Sequence, residues 1–283
     1  MAITLFQKKN FRGDFARIDE DVDDLKHIPL GRNPSSMRMT ARSDAILLYK
    51  KPNWRGGVMF RRAAQNISNL GSPREGGRNT FGNNVASVRV TPFHVNLNIT
   101  IVTQSDGTLP GTATSLRGVR GVINSAVNQI NRFYRRQQAL LEAHISHFNQ
   151  RVHDNKYNLS NFESFSFPAS WKNQREIDVL VVNSFDSGSF GLAKFPWWGK
   201  VCVVSMRVSG STGPQRNSQQ IGKTLAHEIG HFLGTKHTTN NTTNIMRQGN
   251  FGITTATATF EQIQEWHTKL SRNPTRRRNR HEA

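Results

Sequence analysis

The chain has 283 residues, with 38 lysines and arginines against 19 aspartates and glutamates, which gives a formal net charge of +19 at neutral pH. Its one cysteine excludes an intrachain disulfide, and no apolar stretch approaches the ~20 residues of a membrane-spanning helix. This length is enough for two domains of ordinary size, and a charge this basic favours contact with anionic partners.

The N-terminal part of the chain contains an internal repeat. Residues 6–13 have the pattern aromatic-x4-aromatic-x-Gly, and residues 49–56 repeat it. Later in each repeat a serine, Ser36 or Ser87, begins a short segment with the alternating pattern of a β-strand. A twofold repeat of alternating strands with glycine-containing turns predicts Greek-key β-structure.

This repeat resembles the βγ-crystallin domain, in which two Greek keys form one β-sandwich. The resemblance covers residues 2–92, and we predict an all-β double Greek-key domain over residues 1–92. Family members that bind Ca²⁺ take ligands from both repeats, which leaves one candidate calcium site here, at Ser36 and Asn83. The domain has a second potential site, the mate of the first, which would use Arg32 and Ser87. There Arg32 stands where an oxygen ligand is expected. No carboxylate is evident, so calcium binding should be weak, and a purely structural crystallin domain is the alternative.

The rest of the chain, residues 93–271, is predicted to form a second domain of mixed strands and helices. Strands are indicated by alternating or continuous apolar runs, and helices by apolar residues at helical spacing. The predicted strands are 94–102, 177–182 and 200–205, and the predicted helices are 116–149, 219–233 and 259–270.

The most informative pattern in the chain is HEIGHFLGTKH, which follows the form H-E-x-x-H-x-x-G-x-x-H. On a helix, His227 and His231 lie on one face and can bind the same metal ion. Gly234 can end that helix in the left-handed conformation, so that the chain turns back and brings His237 to the same ion. Three protein ligands leave the fourth position of a zinc ion open for water, and Glu228 can project toward that water as the proton acceptor.

The motif resembles that of the metzincins, zinc endopeptidases in which a methionine turn follows the long histidine motif. Met246 lies nine residues beyond His237 and matches that turn. The resemblance implies that Met246 forms a hydrophobic floor beneath the metal without binding it. The domain is matrixin-like in length and simplicity, and the implied fold is an α+β zincin with a mixed, twisted sheet.

Metzincins bind their substrate in extended form along a sheet edge above the zinc. The resemblance makes the segment around Gly191, Leu192 and Ala193 the candidate substrate edge of this chain. An ordinary loop, with the two tryptophans that follow packed on the core, is equally compatible with the sequence.

We therefore predict an endopeptidase that hydrolyses peptide bonds of protein substrates through a zinc-bound water activated by Glu228. The alternative is a basic protein that binds nucleic acid or anionic surfaces and carries an inactive zincin fold. No signal peptide is evident after Met1, which predicts a bacterial toxin or effector made in the cytoplasm and exported by a non-classical route. Its expected partners are delivery machinery or an inhibitor protein. Residues 272–283 form a basic tail, predicted to be disordered and to contact anionic partners nonspecifically.

Overall fold

A computed structural model describes residues 3–39, 45–62, 65–72, 81, 84–159, 176–185, 191–193, 201–208, 210–239, 242–248 and 253–272. Contacts between α-carbons divide the chain into two compact units. The first unit comprises Met1–Phe93, Gln138–Leu140 and Phe260–Ala283, and the second comprises His94–Gln137 and Leu141–Thr259. Among the helices of the described residues, none is both long and apolar enough to cross a membrane.

The first unit contains two three-stranded antiparallel sheets with the same arrangement, as the internal repeat predicts. In each sheet the first strand of the repeat lies in the centre. Residues of both repeats, among them Leu5, Met37, Leu48 and Val88, share one apolar core. The sheets are β2 (Arg12–Ile18), β1 (Ile3–Lys8), β3 (Ser36–Met39) and β5 (Arg55–Arg62), β4 (Ala45–Lys51), β6 (Ser87–Arg89).

The serine of each repeat closes the hairpin of its own sheet. Each hydroxyl donates to a backbone carbonyl at the end of the central strand and accepts the N–H of the second aromatic residue. Gly13 and Gly56 have φ angles of 75° and 77°, which explains why the pattern needs a residue without a side chain there. The bonds run from Ser36 to Lys8 (2.6 Å) and from Phe11 to Ser36 (3.0 Å), and from Ser87 to Lys51 (2.8 Å) and from Trp54 to Ser87 (3.1 Å).

The second unit is built on a five-stranded mixed sheet, as predicted. The central strand β10 (Ile177–Val182) runs parallel to β7 (Phe93–Thr103) and to β13 (Val201–Ser205). The edges are β8 (Leu141–Val152) beside β7 and β12 (Gly191–Ala193) antiparallel to β13. Its other elements are the helices α1 (Leu116–Arg136), α2 (Asp154–Tyr157) and α3 (Ser218–Phe232) and the strands β9 (Asn158–Leu159) and β11 (Ser184–Phe185).

The helix predicted over residues 116–149 is too long, because α1 ends at Arg136. Gln138 and Leu140 then adopt left-handed backbone angles, with φ of 51° and 47°, and the chain enters β8. No glycine marks this break. The apolar residues after it fit helical spacing, but Leu141 and Ala143 also alternate with exposed or half-buried neighbours as in a strand.

The last helix, α4 (Phe260–Arg272), lies in the first unit, although we placed its sequence in the second domain. It packs on β5, where the rings of Phe60 and Phe260 lie 5.4 Å apart between centroids. The side-chain amide of Gln264 accepts the N–H of Phe60 at 2.7 Å and donates to the carbonyl of Val58 at 2.8 Å. The amide thereby pairs with an edge strand as a neighbouring strand would.

Candidate active site

The candidate metal ligands lie on α3, which is buried along most of its length. Asn217 caps its N-terminus: the Asn217 side chain accepts the N–H of Gln220, and the Gln220 side chain accepts the N–H of Asn217, both at 3.0 Å. This reciprocal cap and the apolar residues of the helix explain why it forms here. The observed bounds agree closely with the predicted helix 219–233.

Arg216 holds the start of α3 against the end of β13. Its buried guanidinium donates through Nη1 to the carbonyl of Ser205 at 2.9 Å. Through Nη2 it donates to the carbonyl of Gln220 at 2.7 Å and to Oγ1 of Thr224 at 2.5 Å. Burial lowers the pKa of Arg216 to about 10, so the group remains a cation at neutral pH. The helix is therefore fixed to the sheet one turn before its first histidine.

The three histidines of the motif converge on one point. The Nε2 atoms of His227 and His231 are 3.1 Å apart, those of His231 and His237 are 3.0 Å apart, and those of His237 and His227 are 3.1 Å apart. Gly234, with φ of 99°, makes the turn that brings His237 back. Nitrogens held at ~2.0–2.1 Å by a tetrahedral zinc ion lie about 3.3 Å apart, so the triangle fits one zinc ion.

The hydrogen bonds of the other ring nitrogens decide what faces the centre of this triangle. Nδ1 of His227 lies 2.8 Å from the carbonyl oxygen of Ile245, and Nδ1 of His231 lies 2.8 Å from that of Thr235. Since a carbonyl only accepts, both Nδ1 atoms carry the proton and both Nε2 lone pairs point inward. Burial lowers the pKa of all three rings, that of His227 to about 3, which keeps them neutral. The Nε2 lone pairs of His227 and His231 converge with no proton between them, so a bound cation would stabilise the arrangement. Imidazole nitrogens are ligands that zinc prefers.

Glu228 follows His227 directly on α3 and is buried, with only 4% of its surface exposed. Burial raises its pKa to about 8, while the positive charge of Lys223 acts in the opposite direction. A divalent cation close by would lower that pKa further. The group is thus suited to accept and release a proton near neutral pH.

Met246 lies fully buried against α3, where the resemblance places the methionine turn. A β-carbon built on Gly230 would overlap the Met246 sulfur and would lie 3.2 Å from its terminal methyl carbon. The turn is stabilised locally, because the Asn244 side chain accepts the N–H of Met246 at 2.9 Å. The sulfur therefore packs beneath the turn of helix that precedes His231.

Two side chains of α3 attach the methionine turn to the helix, and sequence reasoning found only one of them. His227 bonds the carbonyl of Ile245, and Nζ of Lys223 donates to the carbonyl of Arg247 at 3.0 Å. Lys223 and His227 are four residues apart, on one helix face. The signal for Lys223 is a lysine between the apolar residues Ile221 and Leu225, one turn before the first ligand.

The candidate substrate edge is a sheet edge, since β12 pairs only with β13 among the described strands. Gly191 pairs with Val204 and lies over α3. A β-carbon on Gly191 would overlap Cγ2 of Thr224 and lie 3.1 Å from Oε1 of Glu228. The strand backbone thus comes close to the proposed proton acceptor. That Gly191, Leu192 and Ala193 bind substrate stays a prediction.

The candidate calcium residues are only partly described, because Asn83 lies outside the described residues. The hydroxyl of Ser36 is already engaged in closing its hairpin. At the mate of this site, Arg32 pairs with both carboxylate oxygens of Asp24, at 2.8 Å through Nε and 2.6 Å through Nη2. At this second site the guanidinium of Arg32 already occupies the carboxylate of Asp24, so the described groups do not fit Ca²⁺.

Residues 121–238 match the model of the reprolysin-like metallo-peptidase family M12B. This part of the chain is therefore similar to reprolysin-like metallopeptidases. The match includes the complete histidine motif and ends at Thr238, directly after His237. The family implies zinc-dependent proteolysis, with which the histidine cluster is compatible. The predicted zinc metallopeptidase is confirmed at this level.

Solved structures similar to about a third of this chain include βγ-crystallins. One from Ciona intestinalis has 20% identity, covers 32% of this chain and 100% of its own, and has a TM-score of 0.28. One from an archaeon has 18% identity, covers 31% and 95%, and has a TM-score of 0.27. The N-terminal domain of protein S has 20% identity, covers 31% and 93%, and has a TM-score of 0.25. No curated protein matches the chain. The double Greek-key assignment itself rests on the strand pairing and the two hairpin serines.

Proposed function

We propose that this protein is a metzincin-type zinc endopeptidase that cleaves peptide bonds within protein substrates. One observation carries the proposal: the Nε2 atoms of three imidazoles converge, and the helix that carries two of them also carries the buried carboxyl group of Glu228. A structural zinc site would be closed by a fourth protein ligand. Among the described residues, the histidine, cysteine and carboxylate cluster here consists of His227, His231 and His237. The open fourth position suits catalysis.

The roles of the residues follow from their surroundings. His227, His231 and His237 would hold the zinc ion, which when bound supplies a Lewis acid for the peptide carbonyl and for water. Glu228 takes a proton from the attacking water and passes it to the leaving amine. The carbonyls of Ile245 and Thr235 keep His227 and His231 in the ligating tautomer.

The substrate would lie in extended form along β12. One side of this strand pairs with β13, and the other side offers backbone groups for strand addition. Since Gly191 lies beside Glu228, a peptide in this position passes close to the proton acceptor. Action of the enzyme as an exported toxin or effector, restrained by an inhibitor protein, stays a prediction.

The test compares the wild-type protein with Glu228→Gln and with Glu261→Gln, a matched change on the exposed surface of α4. Zinc content is measured by elemental analysis and cleavage with a mixed peptide library. We expect one zinc ion per chain in all three proteins, and loss of about 10²–10⁴-fold in cleavage only in Glu228→Gln. Zinc without cleavage in the wild type would contradict the proposal and favour a basic binding protein.

A further inference from the structure

The two sheets of the first unit are equivalent, but among the described elements a helix covers the outer face of only one of them. In the first sheet, Phe15 pairs with Phe6 and Arg17 pairs with Thr4. In the second sheet, the same positions pair Val58 with Tyr49 and Phe60 with Leu47. Phe15 therefore corresponds to Val58, and Arg17 corresponds to Phe60.

In the second sheet these outward positions are buried beneath α4. Val58 and Phe60 are at most 1% exposed. Phe60 lies against the ring of Phe260 and stacks with His267 at 5.7 Å between ring centroids. The outer face of a sheet of this type can therefore be covered by another part of the structure, as α4 covers the second sheet.

In the first sheet the corresponding face is open. Phe15 is 66% exposed, and Arg17 is exposed beside it. We call the outward positions Thr4, Phe6, Phe15, Arg17 and Arg38 the first-sheet face. Among the described residues, Phe15 and Val152 are the two large apolar side chains that are exposed.

The first-sheet face combines aromatic rings with positive charge. The guanidinium of Arg38 lies 4.6 Å from the centre of the Phe11 ring and 5.8 Å from that of Phe6. Asp14 alternates with Phe15 along β2 and so lies on the other side of the strand. The five positions of the first-sheet face thus carry two arginines and no carboxylate.

We propose that the first-sheet face binds single-stranded nucleic acid. A base stacks on the exposed ring of Phe15, and adjacent phosphates contact Arg17 and Arg38. Stacking needs a flat ring that is open to solvent, which only Phe15 provides among the rings of this face, since Arg38 occupies the rings of Phe6 and Phe11. The net charge of +19 attracts polyanions from any direction, and the face supplies the place for contact. This inference does not depend on the zinc site.

The test measures binding of a fluorescein-labelled oligothymidine of about twenty nucleotides to the full chain by anisotropy. Phe15→Ala is compared with Val152→Ala, because Val152 is the other large exposed apolar residue of the described chain, at 59%. Phe15→Ala should weaken binding roughly 5- to 100-fold through the lost stacking, and Val152→Ala should leave it unchanged. Arg17→Gln should weaken binding and reduce the slope of log affinity against log salt by about 1.

Phe15 is a surface residue, so Phe15→Ala should retain the wild-type unfolding midpoint, and a binding loss then reports the contact itself. Equal affinities of Phe15→Ala and Val152→Ala for the oligonucleotide would overturn the proposal. So would Phe15-dependent binding of polyglutamate or of anionic lipid vesicles at comparable strength, which would assign the face to an acidic protein or to a membrane surface. Oligonucleotide binding that is indifferent to Phe15 but lost at high salt would mean a nonspecific effect of net charge.

Discussion

The sulfur of Met246 packs against the α-carbon of Gly230, on the turn of α3 between His227 and His231. Met246 is fully buried. The glycine in the motif thus has a packing role besides the turn made by Gly234. It lets the methionine turn approach the helix closely enough for His227 to reach the carbonyl of Ile245.

Replacing Gly230 with alanine should therefore destabilise the site. The added methyl group overlaps Met246, and overpacking of this kind costs about 1–3 kcal/mol. Displacement of the turn should also weaken zinc binding. Urea unfolding and zinc competition with a chelator measure the two effects.

The matched control is Gly121→Ala on α1, where nothing lies within 4 Å of the added carbon. That change should be neutral or stabilise by up to about 1 kcal/mol, because alanine favours helices over glycine. In the Gly230→Ala, Met246→Ala double variant the clash is absent, so its cost should be smaller than the sum of the single costs. Additive costs would contradict the contact.

Gly191→Ala should reduce peptide cleavage while zinc remains bound. The added carbon overlaps Thr224 and approaches Glu228, so β12 must move away from α3. A misplacement of about 1 Å in an active site can lower the rate about 100-fold. Steady-state cleavage and zinc content are measured on the same samples. Thr224→Ser removes the overlapping methyl group but keeps the hydroxyl that Arg216 bonds, so the double variant should recover part of the activity. Wild-type cleavage by Gly191→Ala would remove the positioning role.

The convergence of the three histidines could be predicted from the sequence because the motif encodes its own geometry. His227 and His231 meet through helical spacing alone, and Gly234 supplies the turn that returns His237. Lys223 and Arg216 were missed because their partners, the carbonyls of Arg247 and Ser205, are distant in sequence. Every residue has a backbone carbonyl, so the sequence does not indicate which carbonyl accepts such a hydrogen bond.

The errors in the fold have a similar origin. The break at Gln138 and Leu140 uses left-handed residues that are not glycines, so local propensity gives no warning of it. Helix α4 was recognised from its periodicity, but periodicity does not tell which core receives the apolar face. The bonds of Gln264 with Val58 and Phe60 join residues about two hundred positions apart, and they place this helix in the first unit.

Calcium should have little effect on the stability of the crystallin unit. Arg32 and the N–H of Lys26 already bond the carboxylate of Asp24, and the guanidinium holds its pKa well below the usual range. Adding about 1 mM Ca²⁺ should leave the unfolding temperature unchanged, because a ligand stabilises only when its concentration approaches its Kd. Arg32→Asn frees the carboxylate and adds an amide oxygen, so this variant should gain calcium-dependent stability. A calcium-induced rise in the wild type would contradict this prediction.

Acid should destabilise the first unit through His267. This residue is fully buried on α4, and its Nε2 lies 2.6 Å from the carbonyl oxygen of Ala139. Burial lowers its pKa from 6.5 to about 4. Between these values the unfolded chain binds the proton and the folded chain does not, so stability is full above pH 6.5 and falls as the pH approaches 4. The loss should reach about 3 kcal/mol, since each unit of pKa corresponds to about 1.4 kcal/mol.

Urea unfolding at a series of pH values measures this loss, with the wild type compared with His267→Gln. Glutamine keeps a donor for the carbonyl of Ala139 and does not titrate, so the stability of the variant relative to the wild type should rise as the pH falls. His27→Gln, which replaces an exposed histidine at the end of the 3-10 turn Leu25–His27, is the matched control and should follow the wild type. The histidines of the zinc site contribute equally to all three proteins, so they cancel in the comparison. Parallel curves for the wild type and His267→Gln would show that His267 is not the group that acid protonates.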